Sequence, residues 1–256
     1  MRFLNTDDLT YYAAVAEELP GFWQRFGGKP DFRDKKVLDL GCGHGVLVNS
    51  IALDGAHRVV GLDLNQALID FATQYQQEQY PQLNNVVEFR NMDIREYPED
   101  DFDYMVSKAT FEHVLELDTV IAAMRDRLKP GGRIYTGFGP LYYSPVGDHG
   151  RTLSKLPWQH AFRSHDAIIR AVNQQRAPDD PITSIYDLGM NLLTPAEYRE
   201  IFKQSGMTIV LYRENAIMPN SSLPRKLVGF AMNALKQVPF LEKYMTVNIW
   251  CVLEKR

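Results

Sequence analysis

The chain is expected to fold as an α/β protein, a doubly wound, mostly parallel sheet with helices on both faces. Three observations predict this. Short apolar runs alternate with helical patterns through the first half of the sequence. A glycine-rich loop, GCGHG at 41–45, follows the first run, and an acidic residue, Asp63, closes the second.

Residues 35–41 (KKVLDLG), 57–64 (HRVVGLDL), 85–93 (NVVEFRNMD), 102–108 (FDYMVSK) and 132–138 (GRIYTGF) each have strand length. Their near-continuous apolar character suits strands covered on both faces. Residues 65–79 read as a helix capped by Asn65, with Leu68, Phe71, Ala72 and Tyr75 along one face. Residues 118–132 read as a second helix, with Asp118 as its cap and Pro-Gly-Gly as its stop. The rhythm then breaks. Residues 139–192 hold five prolines, three histidines and one helical stretch near 164–175, the pattern of an insert over the sheet. Regularity returns at 194–206, where Thr194, Pro195 and Glu197 supply cap, first-turn proline and first-turn acid, and Gly206 ends the helix. Residues 207–215 and 244–256 read as two last strands. Between them, 222–238 reads as an amphipathic helix whose apolar face is expected to pack under the sheet. The alternative is a membrane-surface face edged by Arg225, Lys226 and Lys236.

Composition narrows the function. The 256 residues suit a single domain, 1–256, with 139–192 as a substrate cap inside it. A net charge of −4 offers no broad basic face, so no nucleic-acid partner is expected. No run of eighteen apolar residues is present, so no membrane span is expected. The start of the chain lacks the features of a secretory signal. Two isolated cysteines, Cys42 and Cys251, make no disulfide framework, and the expectation is a reducing, cytoplasmic setting.

The glycine loop and Asp63 together suit a nucleotide-like ligand, with the carboxylate accepting from two ribose hydroxyls. Two features argue against a dinucleotide. Asp39 stands just before the glycines, where its charge would repel a pyrophosphate, and the last glycine of G-x-G-x-x-G is missing. A ligand with a cationic amino-acid portion fits better.

VLDLGCGHG, VVGLDLN, NMDI, DFDYMVSKATFEHV and LKPGGRIY, in that order, resemble the successive motifs of the class I S-adenosylmethionine-dependent methyltransferases. The resemblance covers roughly residues 35–136 and, more loosely, the last two strands. It implies a Rossmann-like seven-stranded sheet whose final strand is antiparallel. It also implies S-adenosyl-L-methionine as cofactor. Carried over, Gly41, Cys42 and Gly43 line the methionine portion and Asp39 orients its amino group. Asp63 holds the ribose, with Leu64 against the adenine. Asp93 accepts from the adenine amine between Met92 and Ile94, and Ser107 and Lys108 offer backbone groups at the methionine end.

On that resemblance the expected activity is methyl transfer to a small-molecule acceptor, with O-methylation favoured. The alternatives are a non-catalytic, regulatory S-adenosylmethionine-binding protein and an NAD(P)-dependent oxidoreductase. A hydroxyl acceptor needs a base, and histidine suits that task near neutral pH. His149 and His160 are the candidate bases. Arg151 and Arg163 are candidates for pairing with an acidic acceptor, whereas Trp158 and Phe162 are expected to be core contacts. His113, after the fourth strand, lies at the edge of the cofactor site or bridges loop and helix. No H-x-x-x-H or H-x-H unit occurs, so no metal is expected. The N-terminal aromatics, Phe3, Tyr11, Tyr12, Phe22 and Trp23, are expected on a helix packed against the sheet, with a gate over the cofactor as the alternative.

Overall fold

The computed structural model describes residues 6–153, 155–215 and 223–256, the Arg225 side chain excepted; Phe3 lies outside the described residues. Seven strands form one sheet: β1 (Lys36–Leu40), β2 (Arg58–Asp63), β3 (Val87–Asn91), β4 (Phe102–Lys108), β5 (Leu128–Phe138), β6 (Thr208–Glu214) and β7 (Ile249–Glu254). Their spatial order is β3-β2-β1-β4-β5-β7-β6. Strands β1 to β5 pair in parallel, and β7 runs antiparallel between β5 and β6. The order reverses between β1 and β4. In an open α/β sheet, ligands bind outside the carboxyl ends of the strands at such a switch point.

Eight α-helices accompany the strands in the described residues. They are α1 (Thr6–Gln24), α2 (Val46–Leu53), α3 (Gln66–Gln79), α4 (Leu117–Arg127), α5 (His165–Asn173), α6 (Pro195–Gln204), α7 (Leu223–Leu235) and α8 (Glu242–Met245). Asn65 caps α3 by accepting from the Ala67 amide, and Thr194 with Glu197 forms a full capping box on α6. Two apolar clusters cover the two faces of the sheet. One gathers Leu38, Met105, Phe111, Phe202 and Leu253, the other Trp23, Val37, Ile51, Val59 and Val106. The insert keeps a small cluster of its own around Tyr142, Ile168, Ile185 and Met190. Helix α1 packs on the sheet as expected, with Trp23 of its last turn, and Phe26 just beyond it, edge-on to Tyr135 of β5.

Several expectations need correction. Helix α4 begins at Leu117, with Glu116 at the cap position and Asp118 in the first turn, because Asp118 already has helical neighbours on both sides. Leu128 to Gly132 belong to β5, whose first residue pairs with Phe102, so the helix ends at a strand start. Strand β7 begins only at Ile249 because α8 occupies the segment before it. Helix α7 is the largest departure. Leu227, Val228 and Phe230 are 61%, 59% and 64% exposed, so the apolar face is not under the sheet. Just past the end of the helix, Lys236 donates to Glu214 of β6. The sequence period identifies an amphipathic helix, but which surface receives its apolar face is a tertiary fact.

Candidate active site

The loop after β1 is stitched to β2 because the amides of Gly41 and Cys42 both donate to the Leu62 carbonyl, at 2.8 and 3.0 Å. Gly41, at φ +73°, lies against Thr110, whose Oγ1 would be 2.2 Å from an added Cβ. Around Gly43, at φ +50°, nothing lies within 4 Å of the equivalent position. The expected close approach to a ligand is therefore a property of Gly43. Gly41 yields its space to a side chain of this chain.

Three carboxylates stand at or just beyond consecutive strand ends. Asp39 is 2% exposed, and burial, reinforced by the nearby Asp63 charge, pushes its pKa up to about 8. Lys108 acts in the opposite sense. Asp63 accepts from the Gly43 amide with Oδ2 at 2.9 Å and from the Asn65 amide with Oδ1 at 2.8 Å. Each carboxylate oxygen keeps a further lone-pair direction. Asp93 accepts from the Arg95 amide and guanidinium, and that side-chain contact holds its carboxyl below the usual range. Leu64 is 73% exposed beside Asp63, free to lie against a planar ring.

Other members of the expected set are placed differently. Ile94 is 1% exposed, its side chain part of the core cluster that includes Leu117. Met92 is half-buried against the same core. The Cys42 thiol faces inward near Gly61, and burial raises its pKa well above the ordinary thiol value. The Ser107 hydroxyl donates to the Leu40 carbonyl, tying β4 to β1. Lys108 donates to Glu18 of α1 at 3.0 Å.

Lys108 also lines a cavity of about 420 Å³ beyond the ends of β4 and β5, walled by Glu17, Glu18, Phe22, Arg25, Gly137–Gly139 and Trp250. Arg25 lies 4.8 Å over the Trp250 ring, and its buried Nε has no partner among the described residues. Sequence reasoning missed Arg25, since a cation on the edge of an N-terminal helix gives no local signal. A larger cleft of about 550 Å³ between α1 and α2 has none of Asp39, Asp63 or Asp93 in its walls. The start of α1 reaches over the glycine loop, where Asp8 meets His44 at 3.1 Å and Tyr11 packs on the same ring.

The two candidate bases part company. His149 is half-buried and its Nε2 donates to the Pro140 carbonyl at 2.9 Å. A carbonyl only accepts, so this fixes the tautomer and leaves the Nδ1 lone pair available. Burial lowers its pKa. His160 is 1% exposed, donates from Nε2 to Tyr142 O at 2.6 Å and has Nδ1 3.8 Å from Asp148. With no accessible ring atom it braces the insert, and the expectation of a base there gives way. Arg151 donates to the carbonyls of Leu188 and Gly189, and Arg163 to that of Ala167, so both are committed within the insert. Trp158 donates to Tyr244 O, whereas Phe162, expected in the core, is 71% exposed and stacks on Tyr244.

His113 sits with its ring centroid 5.1 Å from that of His149. Its neighbour Glu112 carries no signal in the sequence beyond its place in the FEHV segment after the fourth strand. Glu112 is 1% exposed, accepts the Gly139 amide at 3.0 Å with Oε1, and burial raises its pKa to about 7. Asn191 holds this turn by donating to the carbonyls of Phe111 and Val114.

A fold with a switch-point crevice, an open glycine and three acids around it defines a nucleotide-cofactor enzyme of the doubly wound class. The chain belongs to the methyltransferase-domain family, which matches residues 31–186. It is similar to the ubiquinone biosynthesis O-methyltransferase of Pseudomonas syringae pv. tomato, 36% identical over 104 residues, 40% of this chain and 43% of that protein. The enzyme of the same name from Neisseria meningitidis serogroup C is 32% identical over 113 residues, 42% of this chain and 45% of that protein. The matched stretch thus spans less than half the length of these relatives. The fold is that of an S-adenosylmethionine dependent methyltransferase from Mesorhizobium loti, with TM-score 0.61, 16% identity, and 95% and 100% of the two chains covered. It is equally that of the [4+2]-cyclase SpnF, with TM-score 0.58, 16% identity, and 95% and 82% covered. Among the described residues no helix is long and apolar enough to cross a membrane.

Proposed function

We propose that this protein transfers a methyl group from S-adenosylmethionine to an oxygen of a small-molecule acceptor. The observation that carries the reading is the open space at Gly43 framed by Asp39 and Asp63. The residues suit the cofactor: Asp39 would hold its cationic amino group, Asp63 the two ribose hydroxyls, and Asp93 the adenine amine. Leu64 supplies the apolar surface for the base. When bound, the cofactor supplies a sulfonium-activated methyl carbon.

What remains for the chain is positioning, worth ~7–11 kcal/mol where geometry is well set. The cavity beside Lys108 and Gly137–Gly139 is the acceptor site of this reading, with Arg25 available to an acidic or polar group. Gly139, the first residue of the 139–192 segment read as its cap, lies in its wall. His149, neutral and with a lone pair at Nδ1, is the candidate to receive the acceptor's proton. O-methylation rests on the resemblance to the ubiquinone biosynthesis enzymes, whose matched stretches cover 40% and 42% of this chain. A reducing cytoplasmic setting suits the two buried free thiols.

Calorimetry of the full chain with S-adenosylhomocysteine tests the cofactor part; saturable binding is expected and NAD should give none. Transfer of labelled methyl to a panel of small hydroxy and carboxy compounds tests the rest. An absence of heat with S-adenosylhomocysteine sinks the reading.

A further inference from the structure

We infer that Glu112, His113 and His149 together bind one divalent first-row transition-metal ion. One ligand atom from each lies within 4.8 Å of the others. Two ring nitrogens and a carboxylate oxygen are a donor set that such ions favour.

Each of the three groups has one atom tied to backbone and another left over. His113 Nδ1 lies 2.6 Å from the Gly189 carbonyl, and His149 Nε2 lies 2.9 Å from that of Pro140. Both nitrogens must therefore carry protons. The remaining ring nitrogens, His113 Nε2 and His149 Nδ1, then hold lone pairs. A metal-bound histidine usually has this arrangement, its other N–H donated to a carbonyl that fixes ring and tautomer. Glu112 Oε1 accepts the Gly139 amide, whereas Oε2 is buried with no partner among the described residues. A buried carboxylate oxygen without a donor is costly, and a cation would relieve that cost.

The scaffold around the cluster is rigid. Asn191 clamps the Glu112–His113 turn from two carbonyls, and the Tyr198 hydroxyl in turn donates to Asn191 Oδ1 at 2.8 Å. Arg151 also donates to Gly189 O, supporting the acceptor that orients His113. The two imidazole donors favour an ion that bonds well to nitrogen over a hard, oxygen-seeking one. Metal–ligand bonds of about 2.0–2.2 Å place tetrahedral ligand atoms about 3.4 Å apart.

The inference deepens the methyl-transfer reading at one point. An ion held by the His149 lone pair would take over the task given there to a base, by drawing charge from the acceptor oxygen.

Cobalt(II) titration of the metal-stripped full chain, without cofactor or acceptor, tests the site. One equivalent should bind and give visible d–d absorption. His113→Asn keeps a donor for Gly189 O, and His149→Gln keeps one for Pro140 O, yet each removes the ligating nitrogen. Each should weaken binding about 10-fold or more, with folding checked by thermal melting. Glu112→Gln, isosteric and still able to accept from Gly139, should weaken it similarly. His165→Ala, exposed and remote from the cluster, should leave it unchanged. Binding below one equivalent in the native chain, or binding unaltered in His113→Asn and His149→Gln, overturns the inference. A chain that takes up S-adenosylhomocysteine but not cobalt keeps the methyl-transfer reading and loses the metal site.

Discussion

Asp63 Oδ2 accepts the Gly43 amide at 2.9 Å, which makes the acid that ends β2 a structural partner of the loop that follows β1. Its other oxygen accepts from Asn65, the cap of α3. One carboxylate therefore sets the loop, the helix start and the expected ribose contacts. Asp63→Ala should weaken S-adenosylhomocysteine by about 10²-fold, since hydrogen bonds to a charged group are each worth ~1.5–3 kcal/mol. Calorimetry reads this directly, and an unchanged Kd would refute the assignment.

Gly41 and Gly43 should separate stability from binding. Gly41→Ala drives a methyl into Thr110 and should lower the melting temperature. Gly43→Ala meets open space, so its cost to folding is the left-handed backbone alone, about 1–2 kcal/mol. It should nonetheless abolish measurable cofactor binding. Paired melts and titrations of the two variants decide the matter.

Asp39 carries a pH signature. Its folded pKa, about 8, lies above the ~3.9 of an unfolded aspartate. The native chain thus prefers the protonated form. The corresponding stability is fully present below about pH 4 and lost as pH rises through about 8. Asp39→Asn should flatten this fall in chemical denaturation curves taken across that window. A cationic ligand amine would ionise Asp39, so cofactor affinity of the native chain should rise with pH up to about 8. A native chain with no greater pH slope than Asp39→Asn would exclude the assignment.

Helix α7 and the core should respond differently to truncation. Phe230→Ala, at a residue 64% exposed, should change stability by no more than about 0.5 kcal/mol. Phe202→Ala, at a residue with no exposure, should cost about 3–5 kcal/mol. Urea melts of the two variants measure both. A large loss at Phe230 would mean that its face is covered.

Much of the fold was legible because local rules decide it. The β-branched runs became β1 to β5, Asn65 and the Thr194–Glu197 pair capped their helices, and Asp39 and Asp63 fell at or beside the ends of adjacent strands. The expectation about metals did not extend to the Glu112–His113–His149 cluster, for the opposite reason. It rested on spacing within one segment, whereas His149 reaches the other two from the insert.

By itself the sequence determined the strand–helix alternation, the caps and the cofactor motif, since each depends on residues within a turn or two of one another. Tertiary structure alone decided that Gly43 opens on space while Gly41 does not, that His149 keeps a usable lone pair while His160 is sealed, and that α7 turns its apolar face outward. Those outcomes depend on which distant segments arrive against a residue, and hydrophobic periodicity carries no record of the partner.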